Sequence, residues 1–140
     1  MKTAKTSWGS PVSDADAMSE PLPLVYVAGP YTRPDPVLNT RDAVLAADQV
    51  LELGAVAFVP HLSLLHHAIS PKPYEDWIRI AMQMLSRCDV VLRIPGESPG
   101  ADREVELARE LGLAAVTSVV GLEAWLRGRA DAIEEVTRVG

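Results

Sequence analysis

Three glutamates, Glu104, Glu106 and Glu110, share the stretch ADREVELARELG (101–112), which is entered through GESPG (96–100). A fixed carboxylate can attack an electrophilic carbon, carry a proton or stabilise positive charge that develops at carbon. Helical geometry at about 100° per residue separates the three acids. Ala101, Val105, Ala108 and Gly112 mark an apolar side. Glu104 stands three after Ala101 and four before Ala108, so it shares that side. Arg103, Glu106 and Glu110 point away, and the two glutamates read as a solvated face. A carboxylate on the sheet-facing stripe is costly unless it lines a cavity or is hydrogen-bonded. Two readings of Glu104 stand at this level: a chemical group facing a ligand, or an acid completing the capping of a helix that begins at Ser98 or Gly100.

Other residues could meet a ligand. Gly29, Pro30 and Tyr31 follow an apolar run, and a glycine there lets a ligand approach the backbone. An ordinary strand-to-helix turn explains the same residues, and no GxGxxG dinucleotide fingerprint is present. His61 directly follows a second apolar run and is a candidate contact. Ser98, Gly100 and Asp102 lie at the helix start, where ligand contact and capping compete. His61, His66 and His67 come with neither HExxH nor a Cys/His set, so no metal and no other cofactor is expected. Trp77 reads as packing. Arg93, inside an apolar run, is expected to pair with an acid or a phosphate. Cys88 reads as core.

The elements that must position these residues follow from hydrophobic period. LVYVA (24–28) is a short buried strand. Helical spacing runs over 39–53, and Gly54 ends it. AVAFVP (55–60) is a second strand. HLSLLHHAIS is a short helix or a loop, punctuated by Pro71 and Pro73. Trp77, Ala81, Met84, Leu85 and Cys88 share one stripe of a helix over 74–88. DVVLRIP (89–95) is a third strand, 101–111 a helix ended by Gly112, LAAVTSVV (113–120) a fourth strand, and 121–136 a closing helix. Continuous apolar strands alternating with helices predict a doubly wound α/β domain, Rossmann- or flavodoxin-like, with a mostly parallel sheet of four to five strands. Ligands in such a sheet sit at the carboxyl ends of the strands. The loops AGPYT, VPHL and PGESPGAD are therefore expected to meet. Residues 1–23 are polar and read as a flexible tail, and 24–140 as the domain.

Bulk properties narrow the partners. The chain has 140 residues, 48% hydrophobic and 23% charged, with a net charge of −6. Without a Lys/Arg cluster, a polymeric nucleic acid is not an expected partner. A small anion held by one arginine or by backbone amides remains compatible. No apolar run approaches the roughly 18 residues of a membrane span. The single cysteine fits a reducing, cytoplasmic setting. Trp125 on the closing helix offers an apolar anchor for a homo-oligomer, or packs on its own domain.

AGPYT, VPHL and CDVVLRIPGESPGADREVELARELG together resemble the nucleoside 2-deoxyribosyltransferase-like superfamily over about residues 24–120. That group includes the deoxyribosyltransferases, 2'-deoxynucleoside 5'-phosphate N-hydrolases and small uncharacterised relatives. The strongest part is S-x-G-x-x-x-E, here Ser98, Gly100 and Glu104, with Ala108 four residues on. The resemblance implies a small-molecule nucleoside or nucleotide ligand, Glu104 as nucleophile at the anomeric carbon, Tyr31 beside the sugar, and a homo-oligomer. The physics is compatible, since a carboxylate stabilises an oxocarbenium-like centre and then bonds to it. A helix N-terminus would help keep that carboxylate ionised. The family usually carries an aspartate eight residues before the one that opens the third strand. Here that position is Ala81. A non-catalytic nucleotide-binding or sensor domain is therefore the alternative reading.

Overall fold

The computed structural model describes residues 21–139, with side chains to residue 134. The expected tail over 1–23 lies, for residues 1–20, outside the described residues. Strand β1 is Leu24–Ala28, helix α1 Pro36–Glu52, β2 Val56–Phe58, and a 3-10 turn spans Pro60–Leu62. Helix α2 is Ser63–Ile69, α3 Tyr74–Leu85, β3 Val90–Arg93, α4 Pro99–Glu110, β4 Ala114–Val116 and α5 Val119–Val139.

All pairings are parallel, in the order β2-β1-β3-β4. Tyr26 lies opposite Val91 in β3 and Phe58 in β2. Side chains of β1 alternate between two cores, as strand geometry requires. Val25 and Val27 pack with Ala43, Ala46 and Val50 of α1 and Leu122 of α5. Tyr26 and Ala28 pack with Leu85 of α3 and Ala101, Val105 and Ala108 of α4. Both sheet faces are thus covered, and the architecture is the doubly wound α/β fold read from the sequence. The chain leaves β1 toward one edge and returns to β3 on its other side. The β1–β3 boundary is therefore the switch point where ligand crevices open.

Several bounds shift from the sequence reading, each for a local reason. Helix α1 begins before residue 39, because Asp35 caps it by accepting from Val37 N at 2.8 Å and Leu38 N at 3.2 Å. The segment after β2 is helical as α2. Strand β4 stops at Val116, since Ser118 Oγ accepts from Gly121 N at 2.9 Å and starts α5 early. Helix α4 begins at Pro99 because Ser98 Oγ accepts from Ala101 N at 3.0 Å. Gly54 and Gly112 end α1 and α4 at φ of 87° and 82°, the left-handed region that glycine enters freely. Trp125 packs partly buried against the core of its own chain, with Arg129 over its ring.

Candidate active site

Glu104 is set by a strand on one side and a helix on the other. Ala101, Val105 and Ala108 bury the inner stripe of α4 against the sheet, and that packing fixes which way Glu104 faces. Tyr26 is fully buried in β1, and a buried phenol needs a partner for its O–H. Its hydroxyl donates to Glu104 Oε2 at 2.5 Å. One carboxylate oxygen is thus clamped and the other, Oε1, has no hydrogen-bond partner among the described residues.

Burial pushes the Glu104 carboxyl above the ordinary carboxylate value, while the Tyr26 hydroxyl and the Arg93 charge pull it back down. This differs from the role expected of the helix N-terminus. Glu104 sits in the second turn of α4, beyond the first turn where the helix dipole acts. The phenol of Tyr26 is itself pushed upward, by burial first and then by the neighbouring carboxylate, so it stays a proton donor.

Arg93 is held as a brace. Its Nη1 donates to Ile94 O at 2.5 Å, and its Nη2 to Gly96 O at 2.9 Å and Asp102 Oδ1 at 2.9 Å. Nε adds a second bond to the same Asp102 oxygen at 3.2 Å. The arginine therefore ties the end of β3 to the start of α4, so Arg93 meets an acid, as one of the two sequence alternatives had it. Asp102, a candidate ligand contact in the sequence, is not among the residues that line the cleft. Its carboxylate is turned to Arg93 and its side chain is 71% exposed.

The cleft beside Glu104 has a volume of about 880 Å³. It brings together Gly29, Pro30, Tyr31, His61, Ser98, Gly100 and Glu104 from loops far apart in the chain. Ser98 lines the cleft while its Oγ caps α4. Gly29 is explained by packing. A Cβ there would lie 2.3 Å from Ile94 Cγ1. Gly96 likewise has φ of 121° and faces Pro30. These two glycines let the loops after β1 and β3 touch. At Gly100 the nearest atom to an added Cβ is Ser98 Oγ at 3.9 Å, so the space above it is open.

His61 is 3% exposed and donates from Nε2 to Pro30 O at 2.9 Å, because a carbonyl can only accept. Its ring stands edge-on to Tyr31 at 5.8 Å. Burial pushes the imidazole pKa down, against the two loop carbonyls of Pro30 and Gly29, so the ring is neutral. Nδ1 is buried without a partner among the described residues. His61 thus braces the 29–31 loop through one nitrogen.

Several residues that line the cleft or support its walls escaped the sequence reading. Asn39 donates from Nδ2 to Tyr31 O and Arg33 O, each at 2.9 Å, and so shapes the loop over the cleft. Its signal was available, as a polar residue in register with Ala43, Ala46 and Val50. Tyr26 was also findable as the one hydroxyl in the apolar run LVYVA that forms β1. Arg33, Lys72 and Arg103 line the cleft against the acids Glu97 and Glu104. Arg103 thus reaches the rim, although helical angle sends it away from the stripe. Trp77, read as packing, lines the cleft too, as do His67 and Ala81. Ala81 is 8% exposed and presents only a methyl group to the cleft. Among the described residues no group of three or more His, Cys, Asp or Glu is arranged to hold a metal ion. No helix among them is long and apolar enough to cross a membrane.

A family model described as a domain of unknown function, DUF4406, matches residues 23–117. The chain belongs to the DUF4406 family. That match contains β1 through β4 and every cleft residue named above. No curated protein matches this DUF4406 chain at a significant level. Among solved structures it is similar to a 2-deoxyribosyltransferase from the psychrotolerant bacterium Bacillus psychrosaccharolyticus. The two are 16% identical, the overlap covers 66% of this chain and 69% of that one, and the TM-score is 0.48. So loose a likeness transfers no residue role to the DUF4406 domain.

Proposed function

We propose that the cleft cleaves or exchanges the N-glycosidic bond of a (deoxy)nucleoside or nucleoside 5'-monophosphate, with Glu104 as nucleophile. The observation that carries this reading is the Tyr26–Glu104 pair: a half-buried carboxylate, one oxygen held by a phenol, facing a cleft large enough for a nucleotide. Glu104 Oε1 would bond to the anomeric carbon as the C–N bond breaks, and that electron pair leaves with the base. Water, or a second base, then attacks the same carbon and releases the carboxylate. In hydrolysis the water proton ends on the departed base. Arg33, Lys72 and Arg103 give the cleft a positive rim in a chain of net charge −6, which favours a phosphorylated substrate.

The test is incubation with the common deoxynucleosides and their 5'-monophosphates, with and without added free base, followed by measurement of free and exchanged base. Release by the wild type that vanishes in Glu104→Ala is the expected result. Release no greater than that of Glu104→Ala would end the catalytic reading.

Ala81 favours a second reading, a nucleotide-binding or sensor domain without turnover. Its methyl group can neither donate a proton to a leaving base nor anchor it. Nucleotide binding without base release would select this alternative. A homo-oligomer in the cytoplasm belongs to either reading. Light scattering of the purified chain tests the assembly, and a monomer would remove it.

A further inference from the structure

His67 lies in the cleft wall that also contains Trp77 and Ala81. Its hydrogen bonds determine where its proton is. Trp77 Nε1 donates to His67 Nδ1 at 2.9 Å, and Lys72 N donates to the same atom at 3.2 Å. An indole N–H and a backbone N–H can only donate, so Nδ1 carries no proton. The proton of the neutral ring therefore sits on Nε2. The two rings meet edge-on, with centroids 5.7 Å apart, so packing as well as bonding restricts rotation of the imidazole. This leaves Nε2–H as the free donor of a residue lining the cleft, where Ala81 supplies no polar atom. The surrounding surface of Trp77, Tyr74, Ile78 and Met82 suits the face of a flat heterocycle.

We propose that His67 is the cleft's nucleobase contact, its Nε2–H donating to an acceptor on the base edge and Trp77 holding the ring in that tautomer. The inference rests on the nucleoside or nucleotide reading of the cleft. Every common nucleobase carries a ring-nitrogen or carbonyl acceptor that such a donor can meet. Charge builds on the base as the glycosidic bond lengthens, so the same bond strengthens toward the transition state. The imidazole keeps its proton throughout. Trp77 is a positioning residue that acts through His67.

The test separates this role from simple bracing of the 67–77 turn. Asn at position 67 can keep the acceptor that Trp77 and Lys72 use, but its amide does not reach as far as Nε2. Gln reaches that far with a donor. Binding of the four common deoxynucleoside 5'-monophosphates and of base-free 2-deoxyribose 5-phosphate is measured by calorimetry for wild type, His67→Asn and His67→Gln. His67→Asn is expected to weaken the bound monophosphates about tenfold, the size of one net hydrogen bond. It should leave the base-free sugar phosphate within about twofold, and Gln should recover most of the loss. Long-range proton–nitrogen spectra of the free protein should show His67 Nδ1 unprotonated, and Trp77→Phe, which leaves only the longer bond from Lys72 N, should shift the ring toward a mixture of tautomers. Equal losses for both ligand types, no loss in His67→Asn, or a protonated Nδ1 would each overturn the inference while leaving the cleft's function intact. If the base-free sugar phosphate binds too weakly to read, the contrast between Gln and Asn decides. Wild-type protein that binds none of these ligands would overturn both the inference and the reading beneath it.

Discussion

The hydroxyl of Tyr26 on β1 donates to Glu104 Oε2 on α4 at 2.5 Å, across 78 residues of sequence. The bond joins the central sheet to the second turn of a helix and leaves a partly desolvated carboxylate with one free oxygen. Without that hydroxyl the carboxylate would lose its direct hydrogen-bond partner among the described residues. Tyr26→Phe is therefore expected to lower base release by about 10- to 100-fold, the loss of roughly 1.4–2.7 kcal/mol of transition-state stabilisation. The bond to Tyr26 pulls the Glu104 pKa down. Its removal should thus move the acid limb of the pH–rate profile to higher pH, which a profile of kcat/KM reads directly.

Glu104→Gln is expected to abolish base release while keeping nucleotide binding. It should also melt a few degrees higher than wild type at neutral pH. The sign follows from burial, which raises the folded-state value of Glu104 above the unfolded one. Such a group contributes proton-linked stability that is full below the unfolded value of about 4.3 and is lost as pH rises through the folded value. At neutral pH the wild type carries the buried charge and the glutamine does not. The advantage should vanish in acid, where Glu104 is protonated, as thermal melts across pH would show.

Arg93 and Asp102 should not respond equally to mutation. Arg93 is 14% exposed and holds the Ile94 and Gly96 carbonyls, whereas Asp102 is 71% exposed. Asp102→Ala is expected to cost less than about 1 kcal/mol in denaturant unfolding. Arg93→Gln should cost about 1–3 kcal/mol, because it leaves loop carbonyls unpaired. It should also raise the Glu104 pKa, since the arginine charge pulls that value down.

Two glycines of the cleft should separate folding from binding. Gly29→Ala places a methyl carbon 2.3 Å from Ile94 Cγ1. Overpacking of this kind costs about 1–3 kcal/mol, and Ile94→Ala in the same chain should recover part of it. Gly100→Ala meets nothing nearer than 3.9 Å and should fold normally. A ligand lying over the start of α4 would feel that methyl, so weaker nucleotide binding with an unchanged melt is expected.

The spacing of apolar residues determined much of this protein by itself. The four strands and the long helices follow from apolar period, because both depend on near neighbours along the chain, and their alternation implies parallel pairing. The same period put Glu104 on the inner side of α4 and Glu106 and Glu110 in water, where the structure has them. Local capping moved the ends of α1, β4 and α4, since one side-chain oxygen decides such a boundary.

Tertiary structure decided what those elements bring together. Gly29 reads as room for a ligand in the sequence, but Ile94, sixty-five positions away, is what fills the space beside it. Asp102 sits in the right stretch for a ligand contact, yet Arg93 takes its carboxylate. The Tyr26–Glu104 bond and the Trp77–His67 bond depend on the meeting of side chains from different elements. A sequence shows the face on which each group lies. Only packing shows which group stands opposite, and here it set the protonation bias of Glu104 and the tautomer of His67.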